Sequence, residues 1–144
     1  MNSMSGIDAV PANVFRRPTV MVNFVPMAYF HGSRKNSLFI FKKLWLIQEQ
    51  RFLAFSEIIQ SEIGRFLKTE QYEKAGIELI DNTPEEITSV ALEMDGRLKG
   101  SWQTTEDDEE LQRRFWALFK PDDLNSVFRA RVGTEFLRQN RQLL

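Results

Sequence analysis

The run Thr19-Val20-Met21-Val22-Asn23-Phe24-Val25 restricts the fold more than any other part of the chain. It is rich in β-branched residues, nearly continuously apolar, and does not alternate. A strand with one wet face alternates, so this pattern suits a strand covered on both faces, as in a parallel sheet between helices. Pro18 opens the run and Pro26 ends it. The wider apolar stretch from Pro18 to Phe30 is 13 residues long and holds Asn23 and two prolines. A bilayer-spanning helix needs ~20 apolar residues, so no membrane span is expected.

The rest of the chain punctuates itself around this strand. Ile7 to Phe15 reads as a weak helix, with Pro11 tolerated in its first turns. A polar, basic loop follows the strand, His31-Gly32-Ser33-Arg34-Lys35-Asn36-Ser37. Leu38 to Leu46 is apolar apart from Lys42-Lys43 and fits either strand or loop. Phe55, Ile58, Ile59, Ile63, Phe66 and Leu67 fall at helical spacing, with Ser56 a candidate N-cap. A short helix is expected over Thr69 to Ala75, with Gly76 after it.

The next unit carries the strongest signals. Ile77-Glu78-Leu79-Ile80 reads as a short strand and Asp81-Asn82 as a turn. Thr83-Pro84-Glu85-Glu86 then opens a helix with an N-cap threonine, a proline at the first helical position and a glutamate closing a capping box. Ile87, Val90, Ala91, Met94 and Leu98 form its apolar stripe, and Gly100 stops it. Thr105 caps another helix, whose first turns carry the acidic run Glu106 to Glu110. A last helix is predicted from about Leu124, with Val127, Phe128, Val132, Phe136 and Leu137 on one face. Its other face is basic: Arg129, Arg131, Arg138 and Arg141. This order predicts an α/β fold with few parallel strands and a helical C-terminal tail. Residues 1–100 form the α/β segment and residues 101–144 a helical extension packing on the same domain.

Composition removes several kinds of chemistry. The chain has no cysteine and one histidine, His31. Thiol nucleophiles, disulfides and multi-histidine metal sites are therefore excluded, and a reducing, cytoplasmic setting is permitted. With 19 basic and 20 acidic side chains, the net charge is −1. Nothing in that balance draws nucleic acid. No secretory leader is read at the start of the chain. The run Glu106 to Glu110 reads as a solvated helix start, because calcium loops need alternating oxygen ligands and a glycine turn.

Several stretches together carry a resemblance. Asn2-Ser3-Met4-Ser5-Gly6, then Ala9 to Phe15, then Arg17-Pro18-Thr19-Val20-Met21-Val22-Asn23, is similar to the C-terminal domain of GT-B glycosyltransferases. Phe24 to His31, Asn36 to Trp45, Arg51 to Phe55, Gly76 to Ile87, Phe115-Trp116 and Arg129 to Leu137 resemble a bacterial glycosyltransferase family. Each motif is of modest specificity, and their order carries the likeness. It covers nearly the whole chain and about the last third of a typical member.

The resemblance implies a partial Rossmann-like donor-binding domain that takes a nucleotide-sugar. The reaction would be sugar transfer to a glycan or lipid-linked acceptor in bacterial surface polysaccharide synthesis. No metal or other cofactor is implied, only the nucleotide-sugar substrate. The catalytic residues would lie in the unmatched N-terminal part of the family, so none is assigned here, and the chain alone is expected to be incomplete as an enzyme. One departure is visible: the glycine usual before the proline is replaced around Arg16-Arg17.

By the same resemblance, Ser5 and Gly6 would face the donor diphosphate, where free backbone N–H groups at a helix start bind phosphate. His31, Arg34 and Lys35 complete the expected diphosphate set. Histidine titrates near neutral pH, and Arg34, Lys35, Lys42 and Lys43 would neutralise the leaving group. Plain structural roles stand beside these: a helix cap at Ser5-Gly6, an ordinary loop histidine, and a solvated basic loop that also takes in Lys42 and Lys43. Glu85 and Glu86 are expected to cap their helix. Trp45, Trp102 and Trp116 are expected in the core or at an interface. The alternative to a glycosyltransferase segment is a non-catalytic remnant or small interaction protein, stabilised by self-association or by a partner such as the missing N-terminal half.

Overall fold

The computed structural model describes Phe15 and residues 17–29, 36–120 and 130–144. In chain order the elements are β1 (Thr19–Phe24), β2 (Ser37–Phe41), β3 (Lys43–Leu46), β4 (Arg51–Phe52), α1 (Phe55–Ile59), α2 (Thr69–Lys74), β5 (Ile77–Ile80), α3 (Pro84–Lys99), α4 (Glu106–Trp116), β6 (Arg131–Val132) and α5 (Thr134–Gln139). Short 3-10 turns cover Met27–Tyr29, Glu62–Arg65 and Arg141–Leu143.

The strands form two three-stranded sheets. In the first, β2 lies between β1 and β6 and is parallel to both. In the second, β3 lies between β4 and β5 and is antiparallel to both. The fold is therefore mixed α/β with a small parallel sheet. Leu38 to Leu46, open between strand and loop in the sequence, forms two strands separated only by Lys42. One stretch of backbone thus serves as the centre of both sheets.

All five residues of β2 are buried. This is the pattern of a parallel strand covered on both faces. In β1 only Phe24 is fully buried, and Thr19 to Asn23 are half-buried. The two sequence-predicted strands, β1 and β5, belong to different sheets.

The core centres on four phenylalanines from four elements. Phe41 stacks on Phe115 with ring centroids 5.4 Å apart, and Phe55 stacks on Phe136 at 6.2 Å. Phe55 meets Phe115 edge-on at 5.7 Å. All four rings are at most 3% exposed. Burying rings of this size contributes a large share of apolar burial per residue, and offset and edge contacts add to it.

Three expectations are corrected. The helical spacing from Phe55 to Leu67 does not give one helix. α1 stops at Ile59, and Ala54 rather than Ser56 is its N-cap residue. Glu57 takes the capping role by accepting from the Ala54 N–H at 2.7 Å. Ser61 then competes with the helix: its hydroxyl donates to the Glu57 carbonyl at 2.6 Å and accepts from the Ile63 N–H at 3.3 Å. Short hydroxyl side chains divert backbone groups in this way.

The predicted last helix is also different. Arg131–Val132 is the third strand of the parallel sheet, and α5 begins only at Thr134. Glu93 accounts for this start. Its carboxylate accepts from the Thr134 N–H at 2.6 Å and from the Thr134 hydroxyl at 2.9 Å. An acidic side chain is favoured at a helix N-terminus. The start of the predicted helix, from about Leu124 to Arg129, lies outside the described residues.

The buried face of α3 is rotated from its apolar stripe. Glu86, Val90, Glu93 and Met94 are buried, while Ala91 and Leu98 are exposed. Two carboxylates can be buried there because each is fully engaged, Glu86 by Lys43 and Glu93 by Thr134 and Arg97.

Candidate functional site

The carboxyl ends of parallel strands are where open α/β sheets form ligand crevices. Here that end is built by Asn23 and Phe24 of β1, Phe41 of β2, and the turn that leads into α3. The register of β1 against β2 slips between Met21 and Phe24, so one extra residue is accommodated in β1. Asn23 takes up the slip at φ 53°. Asparagine tolerates this left-handed conformation better than the β-branched residues around it.

The bulge turns the Asn23 backbone toward Asn82. The Asn23 N–H donates to Asn82 Oδ1, and the Asn82 N–H donates to Asn23 Oδ1, both at 2.6 Å. Asn82 Nδ2 also donates to the Phe41 carbonyl at 2.8 Å, which ties the turn to β2. Asn82 is 6% exposed. The start of α3 is thereby fixed against the carboxyl end of the parallel sheet.

Thr83 and Glu86 form the predicted capping box. Thr83 Oγ1 accepts from the Glu86 N–H at 3.2 Å, and Glu86 Oε2 accepts from the Thr83 N–H at 2.9 Å. Pro84 stands at the first helical position, and Gly100 ends the helix at φ 70°. Lys43 Nζ donates to Glu86 Oε1 at 2.9 Å. Burial pushes the Glu86 carboxyl up, but the bonds from Lys43 and the Thr83 N–H outweigh it and hold Glu86 below the usual carboxylate range.

Lys42 and Lys43 are therefore not in a solvated loop. Lys42 pairs with Asp81 and Lys43 with buried Glu86. The role expected for Glu86 as a cap is confirmed. Trp45 meets Phe52 edge-on at 4.9 Å, and Trp116 packs among Phe115 and Phe119. Trp102 lies against the Arg97 guanidinium, 5.8 Å from its ring centroid.

The acidic run of α4 is not simply solvated. Thr105 caps it as predicted, accepting from the Asp108 N–H at 3.2 Å. Asp107 pairs with Arg141, Asp108 with Arg138 and Glu109 with Arg131, each with a closest contact of 2.7 Å. The basic residues predicted along the C-terminal segment are its partners. Asp108 is held at about 2: burial pushes it up, and the bonds from Arg138 and Thr105 more than reverse this.

Ser5, Gly6, His31, Arg34 and Lys35 lie outside the described residues, as does all but Phe15 of the helix expected over Ile7 to Phe15. Asn23 and Asn82, which organise this end of the sheet, were not singled out from the sequence. Asn23 was the available signal, as the one amide inside an apolar strand. Among the described residues no group of three acidic or histidine side chains is placed to hold a metal ion. No helix among them is long and apolar enough to cross a membrane. Comparison of the chain with protein-family models, with curated proteins and with solved structures returns no match.

Proposed function

We propose that this chain is the donor-binding segment of a GT-B-like glycosyltransferase, that it binds the diphosphate of a nucleotide-sugar, and that it completes an active site with residues from outside these 144. The observation that supports this best is the parallel pairing of β1 with β2. It gives the Rossmann-like reading a sheet with a carboxyl end, closed by Asn23, Phe41 and Asn82. The resemblance assigns Ser5 and Gly6 to the diphosphate, and His31, Arg34 and Lys35 join them by their charge and place after a strand. A phosphate at a helix start near strand ends is the arrangement such folds use.

Lys42 and Lys43 are excluded from the donor role in this reading, since their charges are spent on Asp81 and Glu86. The cations left to the diphosphate are Arg34 and Lys35.

Calorimetry of the 144-residue chain with uridine, guanosine and cytidine diphosphates tests the proposal. Binding of at least one is expected, weakened about tenfold or more in Arg34→Ala/Lys35→Ala, the loss of two charge-assisted contacts. No heat from any of them at millimolar ligand sinks the proposal and favours a non-catalytic interaction protein.

A further inference from the structure

We propose that the opposite, amino end of the parallel sheet is a second binding site, for a small molecule carrying a phosphate or carboxylate group. A cavity of about 300 Å³ lies there, with Ser37, Leu38, Met94, Arg97, Leu98 and Arg131 on its walls. Ser37 begins β2 and Arg131 begins β6, and the last turns of α3 close the other side.

Among the described residues, four buried side-chain polar atoms have no hydrogen-bond partner: Ser37 Oγ, Arg97 Nη2, Trp102 Nε1 and Arg131 Nε. Three belong to the cavity wall, and the fourth belongs to the indole beneath the Arg97 guanidinium. Folded proteins leave few buried polar groups unpaired, so the gathering of these around one cavity calls for an explanation. Arginine and tryptophan are donors only. The group that satisfies the three nitrogens must therefore be an acceptor, and an oxyanion is one to which the Ser37 hydroxyl can also donate.

The guanidiniums are held by carboxylates. Glu109 grips Arg131 through both terminal nitrogens, at 2.7 and 3.2 Å, and leaves Nε over. Glu93 accepts from Arg97 Nε at 2.9 Å; Nη2 also lies 2.7 Å from that oxygen, outside hydrogen-bonding geometry. These carboxylates cancel the net charge of the site. Recognition then rests on directed N–H and O–H groups, with Leu38, Met94 and Leu98 offering an apolar wall to the rest of the ligand.

The test is a titration of the ¹⁵N-labelled 144-residue chain with sodium phosphate and, separately, with sodium propionate. The indole N–H of Trp102 and the Nε–H groups of Arg97 and Arg131 are followed by NMR, with Trp102→Phe identifying the indole signal. Saturable shifts of these signals are expected with at least one probe, and the probe that saturates assigns phosphate or carboxylate. Ser37→Ala weakens that binding about tenfold, the effect of one hydrogen bond to a charged group. Arg97→Lys, which keeps a cation beside Glu93, weakens it similarly and serves if Ser37→Ala does not fold. No saturation with either probe, or equal shifts in wild type and variants (an adventitious ion only), overturns the proposal. Arg34 and Lys35 stand two to three residues before Ser37, so the two proposals are separated by probe and variant. Shifts of the Trp102 indole with phosphate or propionate that weaken in Arg97→Lys report this site, and nucleoside diphosphate heat that weakens only in Arg34→Ala/Lys35→Ala reports the donor site.

Discussion

Asn23 and Asn82, 59 residues apart, exchange hydrogen bonds from backbone N–H to side-chain oxygen in both directions, each 2.6 Å long. Each asparagine thus satisfies the other's backbone, at a bulge that has left its ladder and at a turn that precedes a helix. Removing one partner leaves a donor unmade on the other side, which costs about 1–3 kcal/mol per buried group.

Asn82→Ala is expected to lower stability by about 2–4 kcal/mol, because it also frees the Phe41 carbonyl. Asn23→Gly should cost less, since glycine accepts φ 53° and only the side-chain bond is lost. Asn23→Val should cost more than Asn23→Gly, because a β-branched residue resists that conformation. Urea unfolding of the three variants gives the order; a Val variant as stable as the Gly variant contradicts the bulge.

Lys43→Met should destabilise by about 3–5 kcal/mol, since it strands a carboxylate inside the fold. Glu86 is 6% exposed, and among the described residues its only ionic partner at hydrogen-bond distance is Lys43. The Lys43→Met/Glu86→Gln pair should recover much of that loss. A double variant no more stable than Lys43→Met alone removes the buried-charge explanation.

Acid should weaken the protein through the α4 clasp. Asp108 ionises at about 2 in the folded chain, against 3.8 unperturbed. A depressed carboxyl contributes stability above its unfolded value and loses it as pH falls through its folded one. The contribution is therefore complete above about pH 4 and vanishes toward pH 2, on the order of 2 kcal/mol. Glu86 and Glu109, both held low, add in the same direction. Urea midpoints measured across this range should fall with pH, and less steeply in Arg138→Ala.

Gly133→Ala tests the fit of β6 against the core. A methyl there would sit 2.9 Å from Ile40 Cγ2 and 3.2 Å from Val90 Cγ2. Overpacking of this kind costs typically about 1–3 kcal/mol. Adding Val90→Ala should relieve part of it, and calorimetric melting of the two variants measures the coupling.

Several helix ends are legible in the sequence because their physics is local. Thr83, Pro84 and Glu86 start α3, Thr105 starts α4, and Gly76 and Gly100 follow their helices at φ 68° and 70°. Sheet membership is not local, and nothing near Ile77 or Thr19 shows that their strands join different sheets. Arg131–Val132 is two residues long and sits in a helix-spaced pattern, so its strand was invisible without Leu38 and Phe39 beside it. The burial of Glu86 and Glu93 is not legible in the sequence, because their partners, Lys43 and Thr134, are about forty positions away. The donor residues drawn from the resemblance lie outside the described part. The four donors at the amino end come from separate stretches that no spacing rule would join.

The backbone from Ser37 to Leu46 has a consequence for how the molecule comes apart. Since it is the middle rib of both sheets, neither sheet can open while the other stays shut. Amide protons of Phe39 and Leu44, in different sheets, should exchange with deuterium through one and the same rare event. The two sheets then behave under thermal or mechanical load as one seam that holds or tears along its whole length.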